Sequence, residues 1–133
     1  MSSKVKDLSS ILVPVSLGEL IDKITILEIK QIHMTGIKLK NVDKELKVLK
    51  YIIQNNNLEL DIDLIDKVKE ANKNLWDIED NIRVKESNQE FDKEFVELAR
   101  SVYKENDKRA YIKKEINQKY NSELVEEKSY NNY

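Results

Sequence analysis

Residues Pro14 to Gly36 read PVSLGELIDKITILEIKQIHMTG and decide the fold class. This stretch contains the only proline and both glycines of the 133-residue chain, so the sequence after Gly36 contains neither. A β-sheet protein of this size needs several tight turns, which Gly and Pro normally supply. The sequence therefore predicts an all-α fold.

The same stretch contains the start and stop signals of a first helix. Ser16 and Glu19 match a capping box, in which each side chain accepts a hydrogen bond from the backbone N–H of the other. Pro14 keeps the residue before it extended, and Gly36 suits the left-handed residue that often ends a helix. These signals predict a helix over 17–35.

Apolar residues repeat at alternating spacings of three and four along the rest of the chain. Such spacing is typical of helices that bury one face and pack nearly parallel, as in a coiled coil. It predicts three further helices, over 41–54, 62–86 and 89–120, of which the last two are the longest. Four helices with short connections most simply form an antiparallel bundle.

A chain of 133 residues suits one domain, so residues 1–133 are predicted to form a single helical domain. A short extended segment precedes the first helix, and a polar tail follows residue 120. Residues 1–12 and 131–133 are predicted to be flexible. Self-association is also predicted, because a fourth helix of about 45 Å would extend beyond a small bundle and leave apolar surface exposed.

Composition argues against several classes of function. The net charge is −2, and the 23 basic residues are dispersed among 25 acidic ones, so no nucleic-acid partner is expected. With no cysteine and one histidine the usual zinc ligand sets are missing, and no metal or cofactor is predicted. Neither a membrane span nor a signal peptide is recognisable, which predicts a soluble cytoplasmic protein without membrane contact.

Charged or amide side chains occupy positions on three helices where a helical wheel places the buried face. These side chains are Glu28 in the first helix, Asn72, Glu79 and Arg83 in the third, and Asn106, Arg109 and Lys113 in the fourth. If they meet, the two glutamates and three cations sum to +1, which would suit a carboxylate or phosphate ligand. The alternative is a layer of salt bridges that only fixes the register of the helices.

Five segments of the chain together resemble a family of short, uncharacterised bacterial and phage proteins classed as a domain of unknown function. The segments are VPVSLGELIDKITILEIK at 13–30, NVDKEL at 41–46, LWDIEDNIR at 75–83, FVELARSVYKENDKRA at 95–110 and EEKSY at 126–130. The resemblance therefore covers most of the chain.

The resemblance implies no activity, because the family has none assigned. It implies that the segment 126–130 docks on the bundle rather than extending into solvent. The family pattern also contains site candidates to which no roles are attached, namely Asp22, Lys23, Glu28, Glu79, Asp80, Arg83, Asn106, Asp107 and Arg109.

Two classes of function stay open at this point. The first is a helical protein that binds an anionic or polar small molecule, or a partner protein, through the Glu, Arg and Asn side chains of the inner helix faces. The second is a small enzyme that uses Glu28 or Glu79 as general acid or base. In that enzyme Arg83, Arg109 and Lys113 would hold an anionic substrate.

Two kinds of helical enzyme offer partial comparisons. The chain is similar to helical chorismate mutases in size and in its Arg, Lys and Glu/Gln side chains, but its first helix lacks an inward arginine. All-helical nucleotide pyrophosphohydrolases chelate Mg²⁺ with carboxylates three residues apart, as in Glu19/Asp22 and Asp77/Asp80. Both pairs fall mainly on the polar sides of their helices, which indicates solvated faces instead.

Overall fold

The structure is a computed structural model that describes residues 9–131. Within that range the chain forms four α-helices and no strand: α1 (Leu17–His33), α2 (Gly36–Asn55), α3 (Ile62–Ser87) and α4 (Lys93–Lys119). The all-α prediction is therefore confirmed. None of these helices is long and apolar enough to cross a membrane.

The first break between helices differs from the predicted one. α1 ends at His33, and Met34 and Thr35 are both extended. Gly36 has a φ of 64° and begins α2 instead of ending α1. The predicted start of α2 at residue 41 was wrong because Thr35 makes no side-chain hydrogen bond to cap the helix, so no capping signal marks the true start.

The other helix starts follow their caps. The hydroxyl of Ser16 accepts a hydrogen bond from the backbone N–H of Glu19 at 3.1 Å, which is one of the two bonds of the predicted capping box. The carboxylate of Glu19 contacts Lys113 of α4. Asp61 caps α3 in the same way. α4 begins at Lys93 rather than at 89, because the carboxylate of Asp92 accepts from the backbone N–H of Phe95. The segment before α4 includes Gln89, whose φ of 54° lies in the left-handed region.

α1 lies at the centre of the bundle and packs against each of the other three helices. α3 and α4 form the most extensive pair, whereas α2 packs on α1 alone among the described elements. The bundle is thus a core of α1, α3 and α4 to which α2 is added on the far side of α1. Consequently α1 has two buried sides.

Two apolar clusters correspond to these two sides. Ile21, Leu64, Val68 and Ile116 fill the core between α1, α3 and α4, and Leu27, Val42 and Leu46 join α1 to α2. Gly18 allows α1 to approach α4 closely, since a Cβ on it would lie 2.7 Å from the carbonyl oxygen of Lys113. The backbone N–H of Gly18 donates to Asn117 at 2.7 Å.

The C-terminal tail, defined here as residues 122–131, lies along α4 without regular secondary structure. The carboxylate of Glu126 contacts the ammonium of Lys113 at 2.8 Å, and Glu127 contacts Lys114 at 3.3 Å. The backbone N–H of Leu17 donates to the hydroxyl of Ser122, at the start of the tail. The tail therefore docks on the bundle, as the resemblance implied.

Some predictions about the whole chain are not tested by this structure. The predicted flexibility of residues 1–12 and 131–133 falls largely outside the described residues. Self-association, coiled-coil packing and the single domain over 1–133 also stay predictions. Apolar side chains near the start of α4 are exposed, Phe91 by 59% and Val96 by 50%, as an overhanging helix would leave them.

Candidate functional site

A network of buried polar side chains joins α1, α3 and α4 at the centre of the molecule. We call it the buried polar network and define it as Asp22 and Thr25 of α1, Asn72 of α3, and Arg109 and Lys113 of α4. Asp22, Thr25, Asn72 and Lys113 are each no more than 5% exposed. Buried polar groups of this kind are costly unless they are hydrogen-bonded or paired with opposite charge.

Lys113 is neutralised by three carboxylates. Its ammonium lies 2.7 Å from Glu19, 2.8 Å from Glu126 and 3.5 Å from Asp22. Burial alone would lower the pKa of Lys113, but the hydrogen bonds to Glu126 and Glu19 outweigh it and the pKa is raised. An ammonium has three N–H donors, and here each has a carboxylate within reach. Lys113 therefore has a structural role and offers no spare donor to a ligand.

Asn72 connects the network across the three helices. Its amide nitrogen donates to the carboxylate of Asp22 at 2.8 Å and lies 3.0 Å from the hydroxyl of Thr25. The Thr25 hydroxyl in turn donates to the backbone carbonyl of Asp22 at 2.9 Å. Because the nitrogen of Asn72 faces α1, its amide oxygen is left to accept from Arg109 of α4.

Arg109 is held by neutral amides. One terminal nitrogen of its guanidinium, Nη1, donates to Asn72 at 2.9 Å, and the other, Nη2, donates to Asn106 at 2.8 Å. Its ion pair with Asp22 spans 3.9 Å, too long for a hydrogen bond. The side chain is 26% exposed, so it lies below the surface but is reachable from it.

Two clefts meet at Arg109 and Asn106. The first, the interhelix cleft, has a volume of about 530 Å³ and lies mainly between α3 and α4. Its lining comprises Ile26, Asn72, Leu75, Trp76, Glu79, Asp80, Arg83, Asn106 and Arg109. The second, the tail cleft, has a volume of about 710 Å³ and lies between α4 and the C-terminal tail. Its lining comprises Val102, Tyr103, Asn106, Asp107, Arg109, Lys128, Tyr130 and Asn131.

The interhelix cleft combines an aromatic wall with a charged edge. The indole of Trp76 stacks on the imidazole of His33, with ring centroids 4.6 Å apart. At the edge, Arg83 donates to the carboxylate of Glu79 at 3.1 Å, and its side chain is 72% exposed. An ion pair this exposed is screened by water, so the recessed cation of this cleft is Arg109.

Several predicted site residues do come together, although not as one cluster. Asp22, Arg109 and Lys113 belong to the buried polar network, while Glu79, Asp80 and Arg83 line the interhelix cleft and Asp107 lines the tail cleft. Asn106 lines both clefts. The expectation that Asp22 lies on a solvated face was wrong, because α3 and α4 cover that side of α1.

Glu28 and Lys23 lie outside both clefts. The carboxylate of Glu28 sits between Lys50 of α2 and Lys69 of α3, at 3.6 and 3.8 Å, and Lys23 pairs with Glu45. Asp22 and Glu28 are six residues apart, which places them about 120° apart around α1. Glu79 lines the interhelix cleft and Glu28 lines neither cleft, so the two candidate acid–base groups do not share a site.

Sequence reasoning missed several residues that build the site. These are Thr25 of the buried polar network, Glu19 and Glu126, which contact Lys113, and Tyr130 of the tail cleft. Thr25 follows Asp22 by three residues on the same helix face, so it had a signal. The role of Glu19 had none, because its partner Lys113 lies 94 residues along the chain. Glu126 belongs to the segment 126–130 that the resemblance implied to dock, but its partner was not indicated.

The carboxylate pairs considered for Mg²⁺ do not form a cation site. Glu19 and Asp22 both contact the ammonium of Lys113. Across residues 9–131 no group of three or more Asp, Glu or His side chains is arranged to hold a metal ion. Glu19 and Asp22 therefore contribute to the folded structure.

The family model of DUF6165, described as a family of unknown function, matches residues 11–133 of the chain. The chain belongs to this family, which confirms the resemblance to a family of unknown function. A bacterial or phage origin stays a prediction. No curated protein and no solved structure is significantly similar to the chain.

Proposed function

Because the family to which the chain belongs has no known function, we propose one from the geometry of the site: the protein binds a small anionic molecule through the guanidinium of Arg109. The single observation behind this proposal is the contrast between the two cations of the buried polar network. Lys113 is surrounded by carboxylates, whereas Arg109 donates its hydrogen bonds to two neutral amides.

Among the described residues, the nearest counter-charge of Arg109 is Asp22 at 3.9 Å, which is more distant than the carboxylates around Lys113. The two hydrogen bonds to Asn72 and Asn106 use two of the five N–H donors of a guanidinium. Its ion pair with Asp22 at 3.9 Å is a long one, and Asp22 already accepts from Asn72. A carboxylate or phosphate group would supply both the acceptors and the negative charge, and arginine recognises either in a two-pronged manner.

The surroundings of Arg109 favour a small molecule over a protein surface. The guanidinium is recessed, and each of the clefts that meet there falls within the range of about 300–1,000 Å³ that is typical of small-molecule sites. The Asn72 and Asn106 amides hold the guanidinium in place before a ligand arrives, which reduces the entropy lost on binding. A protein partner would need a group thin enough to enter one of the clefts.

Binding is favoured over catalysis by the position of the two glutamates. Glu28 is paired with Lys50 and Lys69 away from the clefts, and Glu79 is bonded to Arg83 at an exposed edge. A general acid or base must lie within hydrogen-bond reach of the reacting proton. The cations that contact these two carboxylates are Lys50, Lys69 and Arg83, and not Arg109.

The proposal is tested by thermal shift and isothermal titration calorimetry with inorganic phosphate and acetate. At a concentration one hundred times Kd, a ligand of the native state adds about 2.7 kcal/mol of stability, which raises Tm by several degrees. We expect this rise for the wild type and its loss in Arg109→Lys, which keeps the charge but not the planar fork. Circular dichroism checks that the variant is folded.

Arg100→Lys is the matched control. Arg100 lies on the same helix and lines neither cleft itself. It interacts with Glu97 and with the side chain of Tyr103 but does not reach Arg109, so this variant should bind phosphate and acetate as the wild type does. Equal affinity of Arg109→Lys and the wild type for both anions would overturn the proposal.

A further inference from the structure

We propose that the tail cleft binds an aromatic ring, so that the ligand is a planar aromatic molecule with one anionic group. The inference rests on the proposed function for the anionic half, because Arg109 lines both clefts. The lining of the tail cleft provides the evidence for the aromatic half of the ligand.

Two tyrosines from separate parts of the chain line the tail cleft. Tyr103 comes from α4 and is 39% exposed, whereas Tyr130 comes from the C-terminal tail and is 78% exposed. The ammonium of Lys128 lies 5.8 Å from the centroid of the Tyr130 ring. Aromatic rings gain free energy by stacking on a flat ligand beyond the gain from burying area. Tyr130 has most of its surface available for such a contact.

The charges of the tail cleft select an anion of low charge. Arg109 and Lys128 contribute two positive charges and Asp107 one negative charge, so the lining sums to +1. One carboxylate would offset that sum, and one phosphate monoester, with about −1.5 to −2 at pH 7, would exceed it by no more than about one charge. A molecule with several anionic groups would place the additional charges near Asp107 at an electrostatic cost.

The tail is held in place by the same lysine that completes the buried polar network. Glu126 contacts Lys113 at 2.8 Å, four residues before Tyr130 and two before Lys128. The hydrogen bond from Lys113 lowers the pKa of Glu126, so its carboxylate is charged at neutral pH. Glu126 is therefore a positioning residue, and the aromatic wall of the cleft depends on an ion pair that reaches the core.

Isothermal titration calorimetry on the full chain separates the two halves of the ligand. The probes are acetate against benzoate, and inorganic phosphate against phenyl phosphate, so that each pair differs by one ring. We expect the ring to increase affinity by about tenfold in at least one pair. The pair in which it does so identifies the anionic group as a carboxylate or a phosphate.

Tyr130→Leu should abolish the gain from the ring and leave acetate and phosphate binding unchanged. Tyr111→Leu is the matched control, because Tyr111 is an equally solvated tyrosine of α4, 69% exposed, that lines neither cleft. This control should bind all four probes as the wild type does. Neither tyrosine is part of the core, so both variants should fold.

The possible results distinguish this inference from the proposed function. If acetate or phosphate binds and the ring adds nothing, the inference is overturned and the anion site at Arg109 stands. If Tyr130→Leu weakens all four probes equally, the tail only shapes the anion site and the ring has no place in it. If none of the four probes binds, the proposed function fails and the inference fails with it.

Discussion

Replacing Lys113 with methionine should destabilise the fold by about 3 kcal/mol, because it removes the cation from a buried cluster of carboxylates. Methionine has a similar length and no charge, so packing along the stem is largely kept. The ammonium of Lys113 contacts Glu19, Asp22 and Glu126. The cost depends on whether each carboxylate can be hydrated by water once the ammonium is gone.

The magnitude follows from the exposure of the three carboxylates. The side chains of Glu19 and Glu126 are 40% and 42% exposed and can be hydrated again, so each loses little. The side chain of Asp22 is 7% exposed and cannot. Leaving one buried charge without its partner typically costs about 3–5 kcal/mol. Asp22 keeps its hydrogen bond from Asn72, which places the expected cost near the lower end.

Urea denaturation followed by circular dichroism measures this change. Adding Asp22→Asn to the Lys113→Met variant should recover part of the loss, since it removes the charge that became unpaired. Lys114→Met is the control: its side chain is 45% exposed and its ammonium pairs only with the exposed Glu127 among the described residues, so a change below about 1 kcal/mol is expected. A Lys113→Met protein as stable as the wild type would refute this prediction, because an uncharged side chain would then serve as well as the ammonium in the buried polar network.

Three further predictions concern other parts of the molecule. The pKa of Glu126 is lowered from 4.5 by the Lys113 hydrogen bond, so its contribution to stability is present above pH 4.5 and is lost as the pH falls through the folded-state pKa. Limited proteolysis of the tail should accelerate over that acidic range, and the tail of Glu126→Gln should be cleaved rapidly already at pH 7. Gly18→Ala should cost about 1–3 kcal/mol in thermal unfolding, because the new Cβ would meet the backbone carbonyl of Lys113 at 2.7 Å, and an unchanged Tm would contradict the close helix contact. Glu28→Gln should leave phosphate affinity unchanged in calorimetry; a loss of binding would place Glu28 in the site despite its distance from both clefts.

The fold class was predictable because the signals behind it are local. One capping residue, the absence of Gly and Pro after residue 36 and the apolar spacing each act within a few residues of the chain. The bounds of α2 and α4 were less accurate. The start of α2 has no side-chain cap. α4 is capped at Asp92, but Ser87 and Glu90 also have the spacing of a capping box and favour an earlier start.

The candidate site was predictable only in part, because a helical wheel assumes one buried face. α1 has two, one toward α2 and one toward α3 and α4. The wheel therefore placed Glu28 at the centre of a single arc and Asp22 outside it, while the structure buries Asp22 between helices. Asn72, Asn106 and Arg109 were correctly placed inward, but the sequence could not show which of them bond to one another.

The docking of the tail illustrates a second limit. Its residues are polar, and periodicity gives no reason for them to pack. The interaction of Glu126 with Lys113 spans two elements and arises only after α4 is in place. The resemblance indicated the docking, and physical reasoning on the tail alone did not.

We propose that Arg109, and not Lys113, is the cation that binds an anionic ligand. The chain contains only three arginines, Arg83, Arg100 and Arg109, so the guanidinium Nε–H signals are few enough to resolve by ¹⁵N NMR. On titration with inorganic phosphate we expect a saturable shift of the Arg109 signal, with that of Arg100 unchanged. An Arg109 signal that stays in place while phosphate binds, or that moves no more than Arg100, would contradict the account.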